Sequence, residues 1–329
     1  MSYHLRFTSL ALATMLALSA LTGCGQTDVD SPVIDGQPDA PAPIVIGTLP
    51  TEDMLPLWVA QEEGLFDEAG LEITIINFQA AQERDAAFVA GEIDAFMGDI
   101  IASAALEAGE SGVTLATVML GATSEEGRFG IVGAPGTNYA SLTELAGVKV
   151  GTSSATIQEY VLDGLMGEVG VAQGQIAKEE VKKVPVRYDL LMKGQIQAAM
   201  LPEPFLSLAE KEGAPLLSDD TTGTNLSQTV LGFSDEYLAE PGGIEAMTLL
   251  LDVWDQGAAL VNEDPDAWRE LLVEQARVPE PIKDSYEINT YPMHEVPTKE
   301  QVESVLEWMQ RKGLLTEPPT YEDLVYVTP

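Results

Sequence analysis

The chain reads as an α/β protein built from two successive runs of alternating strands and helices, with a helical tail after Pro241. Two observations predict this class. Between residues 44 and 120, short stretches with strand-like apolar patterning alternate with stretches of helical periodicity, and the alternation restarts at Phe129 after the polar segment 123–128. Strands separated by helices pair as mainly parallel sheets covered by helices on both faces. A third observation sets the scale: 45% of the 329 residues are apolar, enough for one or two packed cores and too many for a disordered chain.

The first run opens with a brief apolar strand at 44–47. Leu55, Trp58 and Val59 then share one helix face, which makes Trp58 a core residue, and Gly64 can stop that helix. Leu71, Ile73 and Ile75 alternate with Glu72 and Thr74, the mark of a strand. A helix over 81–90 ends at Gly91, a natural C-cap, and is followed by a strand at 93–97. Gly98-Asp99 opens a helix running to Ala108, and 113–120 is another strand.

The second run has strands at 129–132 and 148–150 with a short helix at 142–146 between them. Ile157, Tyr160, Val161, Leu165 and Val169 recur at helical spacing. Residues 181–186 read as a strand, 188–193 as a helix, 198–201 as a strand, 205–212 as a helix and 228–233 as a strand. In the tail, Asp264-Pro265 is an N-cap followed by proline at the first helical position, and Thr298 with Gln301 fits a capping box. Val302, Val305, Leu306 and Met309 form one apolar stripe, and Trp254, Trp268 and Trp308 are read as packing residues.

Composition removes several function classes. The chain carries 53 Asp and Glu against 16 Lys and Arg, a net charge of −37, and a pI near 4.1. Nucleic-acid binding needs clustered bases, so no nucleic-acid partner is expected. The acidity is read as a solvated surface suited to a saline medium. One cysteine excludes an internal disulfide and any cysteine-rich metal site, and two histidines leave little for a metal centre or a catalytic triad. No nucleophile-elbow, zinc-protease or phosphate-loop motif is present, so no catalytic residue, metal or cofactor is assigned.

The N-terminus reads as an address. His4 and Arg6 precede a mostly apolar run over 7–21 without acids, too short to span a membrane and of the length of a signal-peptide core. The run ends in Leu21-Thr22-Gly23-Cys24, which resembles the bacterial lipobox. That resemblance implies a signal peptide over 1–23, cleavage after Gly23, and lipid on Cys24 holding the protein at a membrane surface. Residues 24–43, with Pro32, Pro38, Pro41 and Pro43 among small and acidic residues, read as an extended tether.

Several stretches resemble the substrate-binding proteins of ABC importers of the sulfonate, taurine, nitrate and thiamine-precursor class. Pro56-Leu57-Trp58-Val59-Ala60, then Gly64-Leu65-Phe66 and Gly70-Leu71-Glu72-Ile73, is similar to that family's entry sequence. Gly91-Glu92-Ile93-Asp94-Ala95 resembles its turn into the third strand, and Gly194-Gln195-Ile196-Gln197-Ala198 repeats that flavour before Leu201-Pro202-Glu203-Pro204. The resemblance implies a two-lobed, type-II periplasmic-binding fold. Residues 44–126 and 229–329 would form lobe one, residues 127–228 lobe two, with a two-stranded hinge and the helical tail on lobe one. It also implies a monomeric, extracytoplasmic binding protein with a small organic ligand, anionic or zwitterionic, and with permease and ATPase partners. A ligand sensor for a signalling receptor is the alternative, and a pyrimidine-synthase-like enzyme on the same fold is disfavoured by the missing reactive groups.

Ligands of open α/β sheets bind beyond the carboxyl ends of the strands. That rule selects Thr48, Leu49, Thr51, Phe78, Gln79, Asp99 and Thr123 from lobe one, and Ser153, Ser154, Thr156, Arg187 and Glu203 from lobe two. Ser153-Ser154-Ala155-Thr156 precedes a helix, where free N–H groups and hydroxyls either bind an anion or simply cap the helix. Arg187 is one of six arginines after residue 23 and either grips an acidic ligand or pairs with one of the many carboxylates. Glu203, fixed between two prolines, faces a ligand amine or caps the next helix. Asp99 is more simply an N-cap, and Phe78 either stacks on a planar ligand or joins the core.

Overall fold

The computed structural model describes residues 40–223 and 225–326; the signal segment, Cys24 and most of the tether lie outside them. Ala42 is already part of the folded body. Its N–H donates to the Gly242 carbonyl (3.2 Å) and its carbonyl accepts from the Tyr237 hydroxyl (3.1 Å), so the body begins slightly ahead of the expected Ile44.

The first run contains β1 (Ile44–Thr48), α1 (Leu55–Glu62), α2 (Leu65–Ala69), β2 (Ile73–Asn77), α3 (Ala81–Val89), β3 (Ala95–Asp99), α4 (Ile100–Ala108) and β4 (Val113–Leu120). The second contains β5 (Phe129–Gly133), β6 (Val150–Thr152), α5 (Ile157–Glu168), β7 (Lys178–Glu180), α6 (Val184–Met192), β8 (Ala198–Pro202), α7 (Phe205–Lys211) and β9 (Leu216–Asp219). The chain then returns through β10 (Thr229–Ser234) to the tail helices α8 (Asp235–Leu238), α9 (Gly243–Glu263), α10 (Arg269–Gln275), α11 (Lys299–Arg311) and α12 (Tyr321–Leu324).

Two five-stranded sheets result, ordered β2-β1-β3-β10-β4 and β7-β6-β8-β5-β9. In the first, β1 pairs in parallel with β2 and β3, while β10 runs antiparallel to β3 and β4. In the second, β6 pairs in parallel with β7 and β8, while β5 runs antiparallel to β8 and β9. The orders are equivalent, and in each sheet the antiparallel strand in fourth place is the one the chain enters after crossing over. The crossings are residues 121–128 and 220–228. This is the two-sheet α/β architecture that the alternating pattern predicts.

The two runs share a packing device. Gly47 in β1 lies under Ile93 and against Arg84 of α3, where a Cβ would overlap the Ile93 side chain. Gly151 in β6 lies in the same way under Ile196 and against Arg187 of α6. The two Gly-x-Ile-x-Ala stretches each deliver the isoleucine that seats on the glycine of the neighbouring strand. Close packing of this kind leaves no room for a side chain on the strand.

The second run differs from the sequence reading at β9 (Leu216–Asp219), which the periodicity does not mark as a strand, and at 181–186. Residues 181–186 are not a strand; β7 is earlier and shorter, and α6 already begins at Val184. The run of valines suggested β structure, but Pro185 sits in the first helical turn, where its missing N–H costs nothing. Arg187 therefore belongs to a helix and not to a loop after a strand.

The tail covers the first sheet and also reaches the second. Helix α9 lies along α1 so closely that a Cβ on Gly257 would collide with the Pro56 carbonyl. Trp254 is fully buried there, with its Nε1 donating to the Pro292 carbonyl (3.0 Å). Helix α11 packs on α4, yet its Trp308 Nε1 donates to Asp163 of α5 (3.0 Å), and Lys312 meets Glu159 (2.7 Å) and Asp163 (3.3 Å). Trp58 is core, as its helical spacing predicts; Trp254 and Trp308 are core as well, and partly buried Trp268 packs against the core.

We predict that Gly257→Ala, which forces α9 off α1, lowers stability by about 1–3 kcal/mol. Urea denaturation of the variant beside the parent measures this; an unchanged midpoint would contradict the close packing.

Candidate functional site

A cavity of about 50 Å3 lies where the two sheets meet beside the crossings. The turn after β1 supplies Thr51, Glu52 and Asp53; the end of β8 supplies Pro202 and Glu203; the crossings supply Gly127, Arg128 and Ser227. Leu120, Phe129 and Thr229 complete the wall. The carboxyl ends of β1, β4 and β8 thus converge on one space, where the topology of an open parallel sheet places ligands.

Its charged groups are held by named partners. Arg128 Nε donates to Asp219 (2.7 Å), and its Nη1 donates to Glu210 (2.7 Å) and Glu203 (3.3 Å). Glu203 also accepts from the Ser207 N–H (3.1 Å) and hydroxyl (2.9 Å), while its side chain stays 8% exposed. Burial raises its pKa, and the Ser207 donors and Arg128 hold back part of the rise. Asp53 accepts from the Thr229 hydroxyl (2.6 Å). Glu52 is buried and accepts from the Tyr286 hydroxyl, and its carbonyl accepts from the Tyr291 hydroxyl (2.7 Å). Burial first, and then the Glu203 charge, push the Glu52 carboxyl well above the usual range. Burial and the Glu52 charge likewise raise both tyrosines, which keeps their hydroxyls as donors.

The sequence-selected residues fall into three groups. Thr51 and Glu203 line the cavity. Others are absorbed by the fold: the buried Thr48 hydroxyl donates to the Leu49 carbonyl (2.9 Å), and Leu49 and Phe78 pack against the cores. Asp99 caps α4 by accepting from the Ala102 N–H (2.8 Å), and burial raises its pKa. Arg187 is fully buried, donating to the Val181 carbonyl (2.8 Å) and to Gln158, and burial lowers its pKa to about 10.

The third group sits at element starts already satisfied by the chain's own acids. Exposed Gln79 and Thr123 donate their N–H groups to Glu83 (3.3 Å) and Glu126 (3.4 Å). At α5 the Ser154 N–H and hydroxyl both bind Glu180 (3.0 and 2.5 Å), and the Ala155 N–H binds Glu159 (2.7 Å). Thr156 caps α5 through the Gln158 N–H (3.3 Å) and donates to the carbonyl of buried Ser153 (2.8 Å).

The sequence reading did not select Glu52, Asp53, Arg128 or Ser227 for the site, nor Tyr286 and Asn289 of the tail. Asn289 Oδ1 accepts from the Gly127 N–H (3.3 Å) and ties the tail to the first crossing. Glu52 and Asp53 were visible as an acid pair beside the selected Thr51 at the carboxyl end of β1. Nothing local marks Tyr286 and Asn289, which arrive from more than 200 and 160 residues away along the chain, as the separations of their bonds to Glu52 (234) and Gly127 (162) record.

A family model for the NMT1-like family matches residues 37–252. No curated protein sequence matches the chain. Among solved structures, the chain is similar to the alkanesulfonate-binding protein SsuA of Xanthomonas axonopodis pv. citri bound to MOPS. The identity is 18%, with 87% of this chain and 98% of that chain covered and a TM-score of 0.73. The periplasmic aliphatic sulphonate binding protein SsuA of Escherichia coli is 16% identical, covering 88% and 93% of the two chains at a TM-score of 0.72. The periplasmic nitrate-binding protein NrtA of Synechocystis PCC 6803 is 14% identical, covering 87% and 85% at 0.67. At these identities the likeness is one of fold.

Asp220 gives the junction a pH signature. It is 2% exposed and accepts from the Phe129 N–H (2.8 Å), and burial raises its pKa from 3.8 to about 6. The folded chain therefore holds this proton more tightly than the unfolded one. The resulting stabilisation is full below 3.8 and is lost as the pH rises through about 6. We predict that Asp220→Asn removes about 2 kcal/mol of pH dependence between pH 4 and 7. Denaturation midpoints across that range test it; parallel profiles for parent and variant would refute it.

Proposed function

The chain belongs to the NMT1-like family, and we propose that it is the extracytoplasmic solute-binding component of an ABC importer. It would take a small organic solute between the two lobes, close on it, and deliver it unaltered to a permease and its ATPase. The observation that carries this reading is the cavity at the junction, whose walls come from both sheets and both crossings. A solute there touches both lobes only when they are closed, so it stabilises the closed state by its differential affinity. The structural neighbours, which include sulfonate- and nitrate-binding proteins, support the same reading.

The proposal includes the anchor. The Leu21-Thr22-Gly23-Cys24 sequence supports cleavage before Cys24 and lipid on its sulfur, with the protein tethered at the membrane as a monomer. Among the described residues no helix is long and apolar enough to cross a membrane.

Two measurements test these statements. Native mass spectrometry of protein isolated from its own cells is expected to show a non-covalent small molecule, one per chain, that is lost on unfolding and refolding. X-ray scattering is expected to show contraction when that molecule is returned. An identical mass and radius before and after refolding would remove the solute-capture reading. Separately, labelled palmitate should enter the parent and not Cys24→Ser; equal labelling would remove the anchor.

A further inference from the structure

If the cavity is the solute site, its walls also state the sign of the solute. Glu52 and Asp53 stand on one side and Glu203 on the other, while Arg128 is the one base in the lining. That base is already committed to Glu203, Glu210 and Asp219. Two buried arginines and the start of α5, where an anion could otherwise be gripped, are largely engaged from within, although Arg187 Nε has no partner among the described residues. Arg84 and Arg187 are buried against the Met97 and Val181 carbonyls, and the start of α5 holds Glu159 and Glu180. The Glu52–Met54 turn has no side-chain cap, but its own first two residues are acids. This departs from the anionic or zwitterionic solute expected from the sequence.

Two buried hydroxyls of the cavity lining, Thr51 Oγ1 and Ser227 Oγ, lack a hydrogen-bond partner among the described residues. Ser227 is 2% exposed and lines the cavity; its hydroxyl lies near the Asp220 carboxyl, whose pKa it lowers, and Asp220 Oδ2 is itself buried without a full hydrogen bond among the described residues. A buried hydroxyl without a partner costs free energy until something supplies one. Both can accept as well as donate, and the carboxylates beside them can only accept when ionised. The hydroxyls alone admit a donor or an acceptor; it is the carboxylates of both walls that call for a donor.

Resting on the solute-capture reading, we propose that the cleft takes a small organic cation with N–H donors, an ammonium, amidinium or guanidinium group, held between Glu203 and the Glu52–Asp53 pair. The acids of opposite walls then act as a sign filter. Closing the lobes brings Glu203 towards Glu52 and Asp53, and like charges in a poorly solvated space repel. A cation between them removes the repulsion, whereas an anion adds to it. Protons can do the same in its absence, which agrees with the raised pKa of Glu52. The groups facing Glu52 are Asp53 beside it, Glu203 across the cavity, Tyr286, Tyr291 and Asn289 from the tail, and Arg128 at the crossing.

The test uses the full chain, freed of solute by unfolding and refolding, with benzamidine, agmatine and histamine as cationic probes. Benzenesulfonate, taurine and benzoate serve as the opposing set. Calorimetry is expected to show binding by at least one cation, weakened tenfold or more in Glu203→Gln and in Glu52→Gln, with proton release detected as a buffer-dependent heat. Binding by the sulfonates or benzoate with contraction in scattering, and none by the cations, would overturn the proposal while leaving solute capture standing. Cation binding unchanged in both variants would also overturn it.

A second readout needs no ligand. The solute-free parent should contract in scattering as the pH falls from 8 to 5, and Glu203→Gln should already be contracted at pH 8. A radius that ignores both the pH and the substitution would overturn the proposal whatever the probes do. The co-purified solute sought by mass spectrometry decides separately whether the chain captures anything.

Discussion

Arg128 stands where the chain first leaves one sheet for the other, and the carboxylates of Glu203, Glu210 and Asp219 converge on it. Those three acids belong to the end of β8, to α7 and to the end of β9, so one guanidinium gathers three elements of the second sheet at the crossing. A planar fork with five donors can do this, and a lysine could not serve three separated carboxylates in the same way. With its side chain 25% exposed, each pair alone contributes modestly. The set matters because removing the one positive charge would leave the nearby acids facing each other. The adjoining crossing is joined to it by reciprocal bonds: the Phe129 N–H donates to Asp220, and the Asp220 N–H donates to the Phe129 carbonyl (2.8 and 3.1 Å). Glu203 is thereby held at the cavity wall by the same interaction that organises the junction.

Much of the fold was legible because it is written in local periodicity. Strand and helix alternation marked every strand of the first sheet and three of the five of the second, missing β7 and β9, and the capping box at Thr298 and Gln301 formed as its spacing requires. The misreading at residues 181–186 has a specific cause. Valines at 181, 184 and 186 look like a strand, whereas the decisive residue was Pro185, a helix-start signal that outweighs them. The site was legible only in part. Thr51 and Glu203 follow from the rule that ligands gather at strand ends, but that rule does not say which strand-end residues the fold consumes. Thr48, Asp99 and Thr156 were taken by carbonyls and helix starts, and Arg187 by the interior. The tail's contribution to the site lies in tertiary contacts with no sequence pattern behind them.

The repeated Gly-x-Ile-x-Ala device explains why two arginines went inward. Arg84 and Arg187 occupy equivalent places, each with its stem against a strand glycine and its head on a backbone carbonyl. The aliphatic stem packs while the guanidinium satisfies acceptors, a use of arginine that depends on its length as much as its charge. In a chain with so few bases, two of them serve structure and are withdrawn from recognition.

Acids, by contrast, are in surplus, and the fold uses them where an anion would otherwise be useful. Glu83, Asp99, Glu126, Glu159, Glu180 and Glu203 each accept from a backbone N–H at the start of a helix or turn. Such positions favour negative charge, and filling them from within stabilises the helices and leaves no cradle vacant at those starts. The net charge of −37 has the same sign as the cavity wall. At physiological salt, fields from exposed charges fade over roughly 8 Å, so the surface draws cations towards the protein in general without selecting one. Discrimination has to come from groups that salt does not screen. The buried carboxyls at the junction, Glu52 and Asp53 after β1 and Glu203 after β8, are of that kind.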